Sequence, residues 1–159
     1  MGKILGGELE EDAGEVWFEG CRVLPGKERG SRMYYIPEEG KILENLTVAE
    51  NLFIGQEKKK NCYLKTASVF QAAEEYLNRY QIQVNPESRG RELSEAKRRM
   101  LLLLRQIVCP PKLLIVDGSM ELISPGELET VRRMLKDLVL GGTAILYLTC
   151  DQQTAMELS

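Results

Sequence analysis

Two short apolar runs, separated by one sharply bounded helical segment, constrain the fold of this chain more than any other feature. Residues 113–116 and 144–148 are almost entirely apolar, as is typical of strands buried on both faces of a parallel sheet. Between them, residues 124–127 (Ser-Pro-Gly-Glu) supply a serine N-cap, a proline at the first helical position and a glutamate at the third. Gly141-Gly142 ends that helix. Strand, helix and strand in this order predict a right-handed crossover and a parallel α/β sheet.

Periodicity predicts further elements on both sides of that unit. Residues 15–23 indicate a small hairpin that turns at Glu19-Gly20. Residues 33–36 indicate a strand that stops at Pro37. Helical spacing predicts helices over residues 47–54, 66–80 and 95–108, and a last one that starts at Asp151.

The composition excludes several classes of site. The chain has no histidine, which removes Ser-His-Asp and Cys-His nucleophiles and the commonest metal ligand. Its four cysteines lie far apart with no CxxC pair, which favours reduced thiols over a disulfide framework or a zinc site. The formal net charge of -3 argues against a general affinity for nucleic acid or anionic lipid. No apolar run approaches the roughly 20 residues that cross a bilayer, and we expect no signal peptide.

Basic side chains around the predicted helix over residues 95–108 suggest an anionic partner as one hypothesis. Glutamates interleave with them, so we interpret the set as a solvated helix face. Its members are Arg89, Arg91, Lys97, Arg98, Arg99 and Arg105. We expect Trp17, Tyr34 and Tyr35 to pack within strands, because they lack the basic interleaving of a platform for single-stranded nucleic acid.

Four segments, taken in order along the chain, resemble the ATP-binding subunits of ABC transporters, particularly those of the monosaccharide-importer type. Residues 46–55, LTVAENLFIG, are similar to the segment that follows the Q-loop in that group. Residues 111–117, PKLLIVD, resemble the Walker B strand, and residues 141–149 resemble the strand that leads to the switch histidine. Residues 3–16 resemble the stretch that follows a P-loop. The family assignment rests on all four segments together.

The resemblance implies a three-layer α/β fold of the P-loop NTPase type. It predicts a short parallel sheet ordered by strands 33–36, 113–116 and 144–148. An N-terminal β-hairpin and an α-helical subdomain over about residues 47–108 would complete a single domain over residues 1–159. The P-loop, whose backbone N–H groups cradle phosphates, would end just before the first residue, so we expect a truncated form of the domain.

Two motifs of the family are altered where its chemistry depends on them. The Walker B aspartate is kept as Asp117, but the catalytic glutamate that follows it corresponds to Gly118, which cannot polarise an attacking water. The signature serine is kept as Ser94, but Glu95 and Ala96 stand where the signature has its glycines. A carboxylate at Glu95 would repel a γ-phosphate, although it suits the positive end of the helix dipole.

Three further positions depart from the family pattern. The Q-loop glutamine corresponds to Glu38, the D-loop aspartate to Ser124 and the switch histidine to Cys150. The role of helix N-cap accounts for Ser124, and Cys150 is expected to be a small buried hydrophobe rather than a reactive thiol. For Asp117 we expect a hydrogen bond to backbone rather than a magnesium ion. These replacements predict no catalytic residue, no metal site, and neither ATP nor magnesium as a cofactor.

The leading functional hypothesis is a non-catalytic ABC-ATPase-like module with a protein-binding or regulatory role. Its partner would be a transporter membrane subunit, a full ATPase subunit or a regulatory protein, in the cytoplasm or at the inner face of the membrane. The alternative is a fragment of a sugar-importer ATPase subunit whose P-loop lies outside these residues; Glu95, Gly118 and Cys150 argue against it. A nucleic-acid-binding regulator is disfavoured, because no helix-turn-helix pattern or basic stripe is present.

The resemblance has one physical consequence for assembly. In the ABC sheet the P-loop strand lies beside the strand that corresponds to residues 144–148. Without that neighbour, the strand presents an unpaired apolar edge, which is a template for pairing with another chain. We therefore expect a homodimer, formed edge to edge or by exchange of segments, or else a companion polypeptide.

Overall fold

The computed structural model describes residues 2–23, 33–38, 41–54, 66–118, 124–149 and 156. The elements follow the strand and helix order expected from the sequence, with one additional short helix at the start. In chain order they are α1 (Gly2–Gly6), β1 (Val16–Phe18), β2 (Cys21–Val23), β3 (Met33–Ile36), α2 (Val48–Phe53), α3 (Thr66–Arg79), α4 (Glu95–Val108), β4 (Leu113–Asp117), α5 (Pro125–Leu140) and β5 (Ala144–Leu148). Cys62, Cys150, the lysines at 58–60 and the expected helix from Asp151 lie outside the described residues.

A three-stranded parallel sheet of order β3-β4-β5 organises the molecule, as the sequence predicts. The central strand β4 is apolar because it is covered on both faces, and Leu114 and Ile115 are fully buried. The edge strand β5 is only half-buried beyond Ala144. Within the described part of the chain β5 pairs with β4 alone, so its outer backbone groups form a sheet edge.

The hairpin and the first helix lie beside that sheet. The hairpin turns at Glu19 and Gly20, whose φ angles of 48° and 74° are those of a two-residue turn with both central residues left-handed. Glu19 pairs with Lys112, directly before β4. Helix α1 packs against β3 and β4, and a β-carbon at Gly6 would come within 2.5 Å of the Tyr35 ring. The small residue is therefore needed for this close approach.

Helices α2, α3 and α4 pack together, and α4 also packs on α5. The start of α2 has a capping box, in which Thr47 and Glu50 satisfy each other's backbone N–H groups. Asn51 is buried, and its amide group bonds to the backbone of Leu43, Leu46 and Thr47. These contacts fix the segment between β3 and α2 against the helices. The subdomain boundary at about 47–108 stays a prediction.

The buried tyrosine that follows α3 joins this helical group to α5. Tyr80 is 1% exposed, and its hydroxyl donates to Asp137 Oδ2 over 2.7 Å. We predict that Tyr80→Phe lowers the free energy of unfolding by about 1–2 kcal/mol, because it removes a donor to a carboxylate. Denaturant unfolding followed by circular dichroism measures the loss. Tyr76→Phe, in the preceding helix α3, is the matched control and should change stability far less.

The same contact predicts the alkaline behaviour of the protein. Burial and the hydrogen bond to Asp137 raise the pKa of Tyr80 from 10.0 to about 12. The stabilisation is therefore complete below pH 10.0 and is lost as the pH rises to about 12. Between pH 10.0 and about 12, the free energy of unfolding should fall less steeply in Tyr80→Phe than in the wild type. An equally steep fall in the variant would contradict the assignment of this pH dependence to Tyr80.

Candidate functional site

The carboxyl ends of β3 and β4 meet at one edge of the sheet and bring two of the predicted motif positions together. Glu38 follows β3, and Asp117 ends β4. Both line a cavity of about 490 Å³, together with Lys3, Glu8 and Lys41. Ligands of open α/β sheets bind at the carboxyl ends of the strands, so this cavity is the candidate site.

The carboxylate of Asp117 is held by a side chain that the sequence analysis did not implicate. Its Oδ2 accepts a hydrogen bond of 2.9 Å from the hydroxyl of Tyr35. The expectation of a backbone hydrogen bond is therefore wrong, because β3 places a phenol beside the carboxylate. Burial, with the hydrogen bond and the charge of Asp117, raises the pKa of Tyr35 well above its usual range. Tyr35 thus acts as a neutral donor to Asp117.

The residue after Asp117 is locked in a conformation that favours glycine. Gly118 has a φ of 114°, and its N–H donates to the carbonyl of Leu148 over 3.0 Å. Its own carbonyl accepts a hydrogen bond of 3.0 Å from the hydroxyl of Tyr147. A β-carbon at this position would lie 2.9 Å from Cγ of Glu38. A side chain at this position would therefore be disfavoured both by the positive φ and by contact with Glu38.

The start of α4 is tied to the segment after β3. The guanidinium of Arg99 donates to the backbone carbonyl of Glu38 over 2.9 Å and pairs with the carboxylate of Glu95 at 3.1 Å. Ser94 is the N-cap, and its hydroxyl accepts from the N–H of Lys97 over 3.4 Å. Ala96 is buried. The signature positions therefore serve the helix start, and the Glu95 carboxylate is paired within the chain.

Most of the basic side chains around α4 are partly exposed and donate to backbone carbonyls of neighbouring segments. The interpretation of the set as a solvated face rather than a site for an anionic partner stays a prediction. A backbone carbonyl without a backbone partner needs a donor, and these cations supply one at exposed or part-buried positions. Arg105 donates to the carbonyl of Ile54 over 3.1 Å. In the other hydrogen bonds, Arg89 donates to the carbonyl of Asn45 and Lys97 to the carbonyl of Gln83. Arg98 donates to the carbonyls of Leu93 and Arg91.

Ser124 is a helix cap, as the sequence predicts. Its hydroxyl donates to Glu127 Oε2 over 2.7 Å, and the N–H of Ser124 donates to the same oxygen over 3.0 Å. These hydrogen bonds, with the charge of Lys97, lower the pKa of Glu127. The two residues form the capping box of α5, while Cys150 lies outside the described residues.

The described residues do not by themselves fit a magnesium–nucleotide complex. Mg²⁺ requires near-octahedral oxygen ligands, yet Asp117 already accepts from Tyr35. No cluster of three or more acidic, histidine or cysteine side chains suited to a metal exists within the described ranges. The cavity lining has three carboxylates (Glu8, Glu38 and Asp117) and two lysines (Lys3 and Lys41), so it is not a predominantly basic pocket of the kind that favours a phosphate.

The sequence analysis missed Tyr35, Tyr147 and Arg99 as members of this site. The two tyrosines were visible as the polar-tipped residues of otherwise apolar strands, and a phenol near a strand end usually bonds a polar group. The contact of Arg99 with Glu38 spans 61 positions of sequence, so nothing local indicates it.

The sheet order, the flanking helices and the acidic residue that ends the central strand define a P-loop NTPase-type α/β domain. The chain belongs to the ABC transporter family, whose model matches residues 1–121. It is 28% identical to the ribose import ATP-binding protein RbsA of Halalkalibacterium halodurans over 92% of this chain and 30% of that protein. It is 25% identical to the xylose import ATP-binding protein XylG of Geobacillus kaustophilus, again over 92% of the chain and 30% of the relative.

Solved structures confirm the fold. The dimeric, post-hydrolysis ATP-binding cassette MJ0796, bound to ADP and phosphate, superposes with a TM-score of 0.77 at 15% identity, over 97% of this chain and 70% of that one. A nucleotide-free cassette of an ABC transporter gives a TM-score of 0.72 at 18% identity. The chain spans about a third of the length of the curated relatives it matches. No helix within the described ranges is long and apolar enough to cross a membrane.

We predict that Gly118→Ala destabilises the protein more than Gly142→Ala. Gly118 and Gly142 have positive φ angles of 114° and 92°. A residue with a β-carbon in such a conformation loses about 1–2 kcal/mol of stability. Gly142 has nothing within 4 Å of the added carbon, whereas Gly118 faces Glu38. Glu38→Gly in the Gly118→Ala background should recover part of the excess, because Cα of residue 38 still lies 3.0 Å from the added carbon. Denaturant unfolding measures all four proteins, and equal losses at the two glycines would contradict the packing against Glu38.

Proposed function

We propose that this chain is a non-catalytic ABC-ATPase-like module of the sugar-importer type, with a protein-binding or regulatory role. The observation that carries the proposal is the turn at Gly118, where the family has its catalytic glutamate. Its φ of 114° and the Glu38 side chain against it leave no room for a replacement carboxylate on that residue. A single substitution would not restore the missing group.

The altered signature supports the same proposal. Glu95 is the first residue of α4, where helix N–H groups would otherwise receive a phosphate. Its carboxylate pairs with Arg99 at 3.1 Å, so the helix start already carries a negative group. This arrangement stabilises the helix and opposes a phosphate at the same place.

A protein-binding role is consistent with what this chain keeps. The segment 46–55 resembles the family closely, and in the resembling subunits the Q-loop region and helical subdomain engage membrane subunits. Here Asn51 fastens residues 43–47 before α2, and Arg105 binds the carbonyl of Ile54 at the end of α2. A partner would therefore meet a formed surface. The names of the relatives suggest ribose or xylose import as the setting, at the cytoplasmic face of the membrane.

The second candidate is an ATP-binding part of a sugar importer whose phosphate-binding loop lies outside these residues. Two observations favour it. The chain spans about a third of the relatives' length, and the Glu38 side chain lies against Gly118, so a carboxyl-bearing side chain does reach the end of β4. In this case the longer protein would bind ATP through residues outside this 159-residue sequence.

Calorimetry with ATP and magnesium, run beside a thermal shift on the same sample, separates the two candidates. We expect neither heat nor a shift at millimolar nucleotide, because the described residues provide no cradle for phosphate. Asp117→Asn serves as the control, since it removes the kept Walker B carboxylate. Micromolar binding that Asp117→Asn abolishes would overturn the non-catalytic proposal and favour the second candidate.

We further propose that the outer edge of β5 is covered by a second copy of the chain. The strand is half-buried and apolar beyond Ala144, and such an edge pairs readily. Sedimentation velocity at increasing concentration should give a dimer, and Leu146→Lys, on the edge strand, should weaken it. A monomer at high concentration would contradict this assembly.

A further inference from the structure

One oxygen of Asp117 lies against Tyr35 and the first turn of α1, with Leu148 near the same turn. Its Oδ2 accepts the Tyr35 hydroxyl at 2.9 Å. A β-carbon built on Gly2 would come within 2.3 Å of the same oxygen, so the first turn of α1 lies directly against it. The side chain of Leu148 is also close, at 3.0 Å from that built β-carbon. An ion approaching Oδ2 would therefore meet helix backbone, a phenol and an apolar side chain.

The phenol is fixed in its place by the fold. Tyr35 lies in β3, opposite Ile115 of β4, so its backbone is held by the sheet ladder. Its ring is in close contact with Gly6, where a β-carbon would lie 2.5 Å from the ring. Strand and helix together therefore aim the hydroxyl at Asp117. The contact does not depend on a loop.

We propose that the Tyr35 hydroxyl occupies a ligand direction of Asp117 Oδ2 and so weakens the binding of divalent cations there, which makes Oδ2 a self-occluded ligand position at the end of β4. The inference rests on the proposed function, because it takes Asp117 as the kept Walker B aspartate. A cation such as Mg²⁺ must come within 2.0–2.1 Å of its oxygen ligands. At Oδ2 that ligand direction is taken by the phenol, and coordination would require this hydrogen bond to break.

Tyr35→Phe opens the position while keeping the ring that packs on Gly6. Mn²⁺ alone is the probe, and the electron paramagnetic resonance of the free ion measures its binding without nucleotide. We expect the wild-type protein to bind Mn²⁺ only weakly and Tyr35→Phe to bind at least about tenfold more tightly. Adding Asp117→Asn to Tyr35→Phe should abolish the gain. Circular dichroism confirms that each variant is folded.

Tyr80→Phe is the matched control, because Tyr80 also donates to an aspartate, Asp137, at 2.7 Å. Asp137 lies outside the cavity that Asp117 lines, so freeing it should leave Mn²⁺ affinity at the wild-type level. Equal affinities of folded Tyr35→Phe and wild type would overturn the proposal. Micromolar binding by the wild type that Asp117→Asn abolishes would also overturn it, and this test does not need the Tyr35 variant.

The two proposals fail separately. The Mn²⁺ measurement contains no nucleotide, whereas the test of function contains ATP. Unchanged Mn²⁺ affinity in Tyr35→Phe, with no ATP binding by the wild type, overturns the occluded position and supports the non-catalytic role. Tighter Mn²⁺ binding in Tyr35→Phe, with micromolar ATP binding by the wild type, supports the occluded position and overturns the non-catalytic role.

Discussion

The structure depends on the burial of β4 between two parallel strands. β4 is hydrogen-bonded to β3 on one side and to β5 on the other, and Leu114 and Ile115 are fully buried. Because the strand is rigid and central, its last residues, Asp117 and Gly118, are presented at a fixed point. Every contact of the candidate site is arranged around that point.

Two tyrosines from the flanking strands occupy the end of β4. Tyr35 of β3 donates to the Asp117 carboxylate, and Tyr147 of β5 donates to the Gly118 carbonyl. Both polar groups are therefore satisfied within the chain, as groups in the half-buried end of a sheet need to be. A nucleotide site keeps such groups for its ligand, whereas here they stabilise the resting fold. This internal satisfaction is the physical basis of the non-catalytic proposal.

The basic side chains near α4 are also bound to groups of the same chain. Arg99 joins the start of α4 to Glu38, and Arg105 binds the carbonyl that ends α2. Cationic side chains of the kind that bind anionic ligands here bind backbone carbonyls and the carboxylate of Glu95. The segment that resembles the partner-binding part of the family is consequently well fastened, which suits a surface for another protein.

The sequence alone determined the elements and their order, α1 (Gly2–Gly6) excepted, because period, caps and stops are local signals. The Ser124 cap, the bounds of α4 and the parallel strands were all predictable in this way. It also predicts which motif positions are replaced. The tertiary structure alone decided what the replaced positions touch: Tyr35 on Asp117, and Glu38 against Gly118. These pairs are separated by about 80 residues of chain, and no local pattern encodes a contact that only the folded sheet creates.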